Sequence, residues 1–222
     1  MDRLADDLFT LSVSQRLLGA DLRTRMTVIR IGEELLLHSP VAATDALVDE
    51  VTDLGRVRWL VAPCDNHHLY IPSWKARIPD AEILAAPGAA RRLKEVQVDG
   101  VLPDDVPTAW TDDLGTLFID GMPKLNETAL FHRASKTLIL TDFLFNHASA
   151  PGWYTKAFLR MTGGWGGPRQ TPLLRSMVKD RRKVRSMCQR MLKWDFERIT
   201  MCHGDVITED AQEVLRAATA WM

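Results

Sequence analysis

The chain has 222 residues, 46% of them hydrophobic and 26% charged, with a formal net charge of −1. That length suits one large domain able to bury most of its unfolded surface without disulfides or structural metals. The charge balance argues against nucleic-acid binding and against attraction of the whole chain to an anionic membrane.

The opening Met1-Asp2-Arg3-Leu4-Ala5-Asp6-Asp7 carries acids where a signal peptide carries bases, and no segment reaches the ~20 apolar residues of a membrane helix. A cytoplasmic protein without membrane or nucleic-acid partners is therefore expected. Cys64, Cys188 and Cys202 are odd in number and lack CxxC spacing, which argues against a disulfide framework or a cysteine zinc site.

The runs 26–31 and 34–38 read as strands split by Gly32-Glu33, a hairpin signal. Thr44 is placed to cap a helix through about Leu54, which Gly55 stops. Residues 57–62 form an apolar strand running into Pro63-Cys64-Asp65-Asn66-His67-His68. A short helix at 73–78, a strand at 82–86 and a short basic helix follow. Residues 95–115 read as loop; 116–120, 127–133 and 137–141 read as strands.

After Asp142 the pattern changes. Residues 147–170 mix glycines with Trp153, Tyr154, Phe158 and Trp165, and predict a lid-like insertion over a pocket. One long helix is expected over 172–192, a strand over 198–202, and a C-terminal helix capped by Thr208. Two strand-rich blocks, each with helices, predict two sheets with helices outside, within a single domain spanning 1–222.

Three chemistry-bearing features fall at strand ends: Asp65 to His68, Asp142 and His203. Neutral imidazole and carboxylate together suit zinc, iron or manganese. The competing reading is backbone-bonded histidines and a turn-capping aspartate. Strand alternation turns Cys64 opposite to Asp65 and Cys202 opposite to His203, as small buried residues. The basic run from Lys179 to Arg185 reads as a solvated helix face.

From Leu35 to Ala86 the chain resembles the first half of the metallo-β-lactamase superfamily: strand, helix, a strand ending in a His-x-His-x-Asp-His motif, short helix, strand. Here Pro63-Cys64-Asp65-Asn66-His67-His68 stands in the motif's place, and Asp80-Ala81-Glu82-Ile83 follows. Thr137 to Asp142 resembles the strand ending in the bridging aspartate, and Met201-Cys202-His203-Gly204-Asp205 the strand ending in the last histidine. His38-Ser39-Pro40-Val41, His67-His68-Leu69 and Leu125-Asn126-Glu127 resemble a branch known mainly as a domain of unknown function.

The resemblance implies an α/β fold, an αββα sandwich of the metallo-β-lactamase type. It also implies a depleted metal site, with Pro63 and Asp65 replacing motif histidines and no histidine near Pro123. At most one divalent metal, zinc ahead of iron or manganese, is expected on His67, His68, Asp142 and His203. Asp65 would orient or deprotonate a water, and Asn126, Glu127 and Trp165 would contact a small-molecule substrate. Three functions follow in order: a mononuclear metal-dependent hydrolase, a catalytically degenerate ligand- or partner-binding protein with or without metal, and an iron-dependent redox enzyme.

Overall fold

The structure is a computed structural model that describes all 222 residues. In the N-terminal half the elements are β1 (Asp2–Ala5), β2 (Leu8–Val13), β3 (Arg16–Leu17), β4 (Ala20–Asp21), β5 (Thr24–Ile31), β6 (Glu34–His38), α1 (Asp45–Thr52), β7 (Arg56–Ala62), α2 (Ile71–Arg77), β8 (Glu82–Ala85), α3 (Pro87–Arg92) and β9 (Gly100–Val101). The C-terminal half supplies β10 (Leu114–Phe118), β11 (Thr128–His132), β12 (Thr137–Ile139), β13 (Phe145–Asn146), α4 (Gly152–Met161), β14 (Pro168–Arg169), α5 (Pro172–Ser176), α6 (Arg181–Met191), β15 (Arg198–Thr200) and α7 (Ala211–Thr219).

Seven strands form one sheet in the order β1-β2-β5-β6-β7-β8-β9, and four form a second in the order β10-β11-β12-β15. Strands β6 to β9 pair in parallel, as do β12 and β15, so their C-terminal ends open in a common direction.

Side-chain alternation builds three apolar layers from these strands. Leu36, Trp59 and Val61 face the second sheet and pack with Trp110, Leu130 and Ile139. Their neighbours Leu35, Leu37 and Leu60 face the other way, onto Leu47 and Val51 of α1 and Trp74 of α2. On the far side, Ala129, Phe131 and Leu138 pack against Val184 and Cys188 of α6 and Leu215 of α7. The layers therefore run helix, sheet, sheet, helix, as expected, with each half supplying one sheet. No helix is long and apolar enough to cross a membrane.

Two expectations need correction, and two segments carry more regular structure than the sequence suggested. The first 21 residues form strands that the sequence reading passed over. The segment 147–170 is not a plain loop, because α4 runs through it. The helix expected over 172–192 is two: the N–H groups of Lys179 and Asp180 both donate to the Gly121 carbonyl, and the Asp180 carboxylate restarts the chain as α6 by accepting from Arg182 and Lys183. The last helix begins after Asp210, in left-handed backbone, rather than at a Thr208 cap.

Candidate metal centre

Loops at the C-terminal ends of β7, β12 and β15 bring the site together. The loop after β7 is fastened to the second half of the molecule: Asp65 N–H donates to the Leu125 carbonyl at 2.9 Å, and Thr128 N–H to the Pro63 carbonyl at 2.8 Å. Beyond β15, Arg25 N–H donates to the Cys202 carbonyl at 2.8 Å, tying His203 back to β5. Gly204 then turns at φ +97°, and a β-carbon there would lie 1.9 Å from the Asn146 carbonyl oxygen, so only glycine fits.

Asp142 is the centre of the cluster. Its Oδ1 lies 3.2 Å from His67 Nε2 and 3.5 Å from His203 Nε2. Its Oδ2 accepts from Asn66 Nδ2 at 3.0 Å and faces Cys64 Sγ at 3.8 Å. Behind it, the fully buried Glu127 carboxylate accepts the backbone N–H groups of Thr141, Asp142 and Phe143 at 2.7, 2.8 and 2.8 Å. Burial pushes Glu127 up to about 7, against these bonds. Glu127 thus holds the turn that presents Asp142.

Each histidine is oriented through its other nitrogen. Ser39 Oγ lies 2.6 Å from His67 Nδ1, and Ser39 is held in left-handed backbone at φ +54°. Such strain in a non-glycine residue persists where the surroundings over-determine it. His203 Nδ1 lies 2.7 Å from the Arg23 carbonyl, which can only accept, so Nδ1 carries the hydrogen. Burial holds the His203 imidazole below its ordinary pKa, leaving it neutral with Nε2 bare. His203 Nε2 thus faces an Asp142 carboxylate oxygen at 3.5 Å. Burial also disfavours charge on His67, but Cys202 and Asp142 outweigh it and raise His67 well above its usual pKa. Despite its own burial, Asp142 is held low by His67 and His203.

Cys64, His67 and Asp142 each present a donor atom within 4.8 Å of the other two, a grouping able to hold a metal ion. His203 Nε2 approaches the same carboxylate oxygen at 3.5 Å but stands outside that 4.8 Å grouping. The donor set suits a transition metal such as zinc.

The remaining candidates are placed elsewhere. His68 Nδ1 lies 3.0 Å from the Asp65 carbonyl, half-buried beneath the loop, and the ring does not line the cleft at the cluster. The Asp65 carboxylate is buried and spent, accepting Gly88 N–H at 2.8 Å and Asn126 Nδ2 at 2.9 Å. Asp65 and Asn126 thus lock the loop from behind, and neither borders the cleft. Glu127 supports Asp142 rather than contacting the cleft. Trp165 lies under Lys156 and Arg160, at 4.9 and 5.7 Å from its ring, and is also off the cleft wall. Of the four lid aromatics, only Phe158 lines it.

Cys64 and Cys202 are buried, as expected, and Cys64 faces Asp142 while the neighbouring Asp65 turns the other way, to Gly88.

The cluster opens into a cleft of about 430 Å³ with largely apolar walls, including Leu22, Tyr70, Phe158 and Leu174. The sequence reading missed His147, which lines this cleft and stacks on Phe145 at 6.2 Å. Burial lowers it to about 4, so it is neutral at pH 7.

Comparison with solved structures places the fold. A metallo-β-lactamase from Pontibacter korlensis superposes with a TM-score of 0.68 at 13% identity, over 98% of this chain and 95% of that one. One from Hirschia baltica gives 0.64 at 12%, over 98% and 94%. FIM-1 from Pseudomonas aeruginosa, in its mono-zinc form, gives 0.65 at 10%, over 99% and 94%. At these identities the likeness is one of fold. A search of curated protein sequences finds no match. The model of the family described as "Domain of unknown function (DUF4336)" matches residues 5–157, and the chain therefore belongs to that family, on a metallo-β-lactamase fold.

Proposed function

We propose that the chain is a metal-dependent hydrolase-like protein that holds one divalent transition metal, zinc foremost, on His67, Asp142 and His203 and acts on a small molecule in the adjoining cleft. The observation that carries the reading is the grouping of the Cys64, His67 and Asp142 donor atoms within 4.8 Å, with His203 Nε2 3.5 Å from the same carboxylate. A metal in such a setting supplies Lewis acidity and lowers the pKa of a water bound to it.

The chain's own groups do the rest. Ser39 and the Arg23 carbonyl fix the two rings, Asn66 and Glu127 fix the carboxylate, and Phe158 and Leu174 exclude water from the apolar end of the cleft. His147, neutral and on the cleft wall, takes the role of proton acceptor first assigned to Asp65.

A second reading rests on Cys64. If its sulfur joins the other three donors, four protein ligands close the site, and a closed site is structural. The chain would then bind a ligand or partner without turnover.

Elemental analysis of untagged, dialysed protein tests the metal. One equivalent per chain is expected, lost in Asp142→Asn and His203→Ala. Two equivalents, or none after reconstitution with zinc, iron and manganese, would refute the assignment. Cys64→Ala separates the two readings: the open site keeps its metal and the closed one loses it.

A further inference from the structure

Seven large apolar side chains are exposed in the whole molecule: Leu17, Leu18, Leu69, Trp153, Tyr154, Met161 and Leu173. They are not scattered. Leu17, Leu69 and Leu173 line the mouth of the cleft. The β3–β4 hairpin carrying Leu17 and Leu18 is pinned to α4, with Tyr154 Oη donating to the Leu18 carbonyl at 2.9 Å and Asp21 N–H to Thr155 Oγ1 at 3.0 Å. Along α4, Trp153, Ala157 and Met161 recur every fourth residue, so they share one face, and all three are exposed. Trp153 is 81% exposed and Met161 79%. The tip of the hairpin and the exposed face of α4 thus meet through Tyr154, beside Leu17 and Phe158 of the cleft wall, and exposed apolar surface of this kind marks an interaction site.

The segment that carries α4 is also basic. From Phe143 to Lys179 the chain contains Lys156, Arg160, Arg169, Arg175 and Lys179 and no aspartate or glutamate. Arg16 on the hairpin is exposed at the cleft mouth. The nearby acids are already engaged: Asp21 accepts from Ser14, Gln15 and Arg23, and Asp205 lies 4.0 Å from Arg23 and accepts from Ser149. The net charge of −1 for the whole chain conceals this local excess.

We propose that this face docks on the surface of an anionic phospholipid bilayer. Trp153, Leu18, Met161 and Leu173 enter the boundary between headgroups and acyl chains, while Arg16 and Arg160 meet lipid phosphates. Tryptophan favours that boundary, and basic residues beside apolar ones give selectivity for anionic lipid. The cleft then opens onto lipid, which suits its apolar walls. The assignment does not depend on the metal centre.

The test is co-sedimentation of the full chain with vesicles of phosphatidylcholine alone and of phosphatidylcholine mixed with phosphatidylglycerol. Binding to the mixed vesicles is expected, weakened by salt and about tenfold or more above that to phosphatidylcholine alone. The double variant Trp153→Glu/Met161→Glu should lose binding by a similar factor and melt as the parent does, because both side chains are exposed. No binding, or equal binding to both vesicles, overturns the proposal. So does a dimer in sedimentation equilibrium that the double variant abolishes, because a second copy would then cover this face.

Discussion

Replacing Gly88 with alanine should damage the site from behind, through Asp65. A β-carbon on Gly88 would stand 2.1 Å from Asp65 Cγ and Oδ2 and 2.3 Å from Oδ1. The backbone at Gly88 is not left-handed, so the clash is purely steric, and the carboxylate must leave. Leaving breaks its bonds to Gly88 N–H and Asn126 Nδ2. Bonds to a buried charged group contribute about 1.5–3 kcal/mol each, so roughly 3–6 kcal/mol is lost. The helical preference of alanine over glycine returns about 0.5–1 kcal/mol. The net cost of about 2–5 kcal/mol lowers the melting midpoint by roughly 5–15 °C in a chain of this size.

A double-mutant cycle monitored by circular dichroism isolates the mechanism. With Asp65→Ala already in place, Gly88→Ala should add no cost, because the space is vacant. An unchanged midpoint in Gly88→Ala, or additive costs in the double variant, would refute the reasoning.

His38 is fully buried with neither ring nitrogen bonded, and burial lowers it from 6.5 to about 3. Its folded pKa lies below its unfolded one, so the stability it permits is present above about pH 6.5 and lost as pH falls toward 3. By pH 5 the loss is roughly 2 kcal/mol, and His38→Leu should flatten the acid limb of a plot of melting temperature against pH. His147→Gln should cut turnover of a generic ester such as p-nitrophenyl acetate by about 10²–10⁴-fold. Metal content measured on the same protein should not change, because His147 is not among the ligands.

The layers of the fold were legible because apolar alternation in β5 to β8 and β10 to β12 leaves little freedom about which face is inward. The convergence of His67, Asp142 and His203 was legible for a related reason, since each directly follows an apolar strand. The roles of Asp65, Asn126 and Glu127 were not legible. A carboxylate at a strand end reads alike whether it faces a cleft or accepts backbone N–H groups, and only the chain approaching from behind decides. Gly88 and the turn Thr141–Phe143 are those partners, distant in sequence from what they bind. Residues 172–192 carried one helical period throughout, and the break at Asp180 is set by a tertiary contact to Gly121. His147 went unnoticed because it follows only the two-residue strand β13, too short to show a strand period.

The tie between His203 and the Arg23 carbonyl spans 180 residues, and that between His67 and Asp142 spans 75. During synthesis the seven-stranded sheet is complete by Val101, well before Asp142 or His203 has been made. The inner face of that sheet, with Leu36, Trp59 and Val61, must then wait for Leu130 and Ile139 to cover it. The cluster of His67, Asp142 and His203 therefore cannot guide the folding of the first sheet. It forms only once the two halves dock, and a chain caught before docking would display an apolar sheet face. Slow folding through contacts of such long range is the cost of building one site from both ends of the chain.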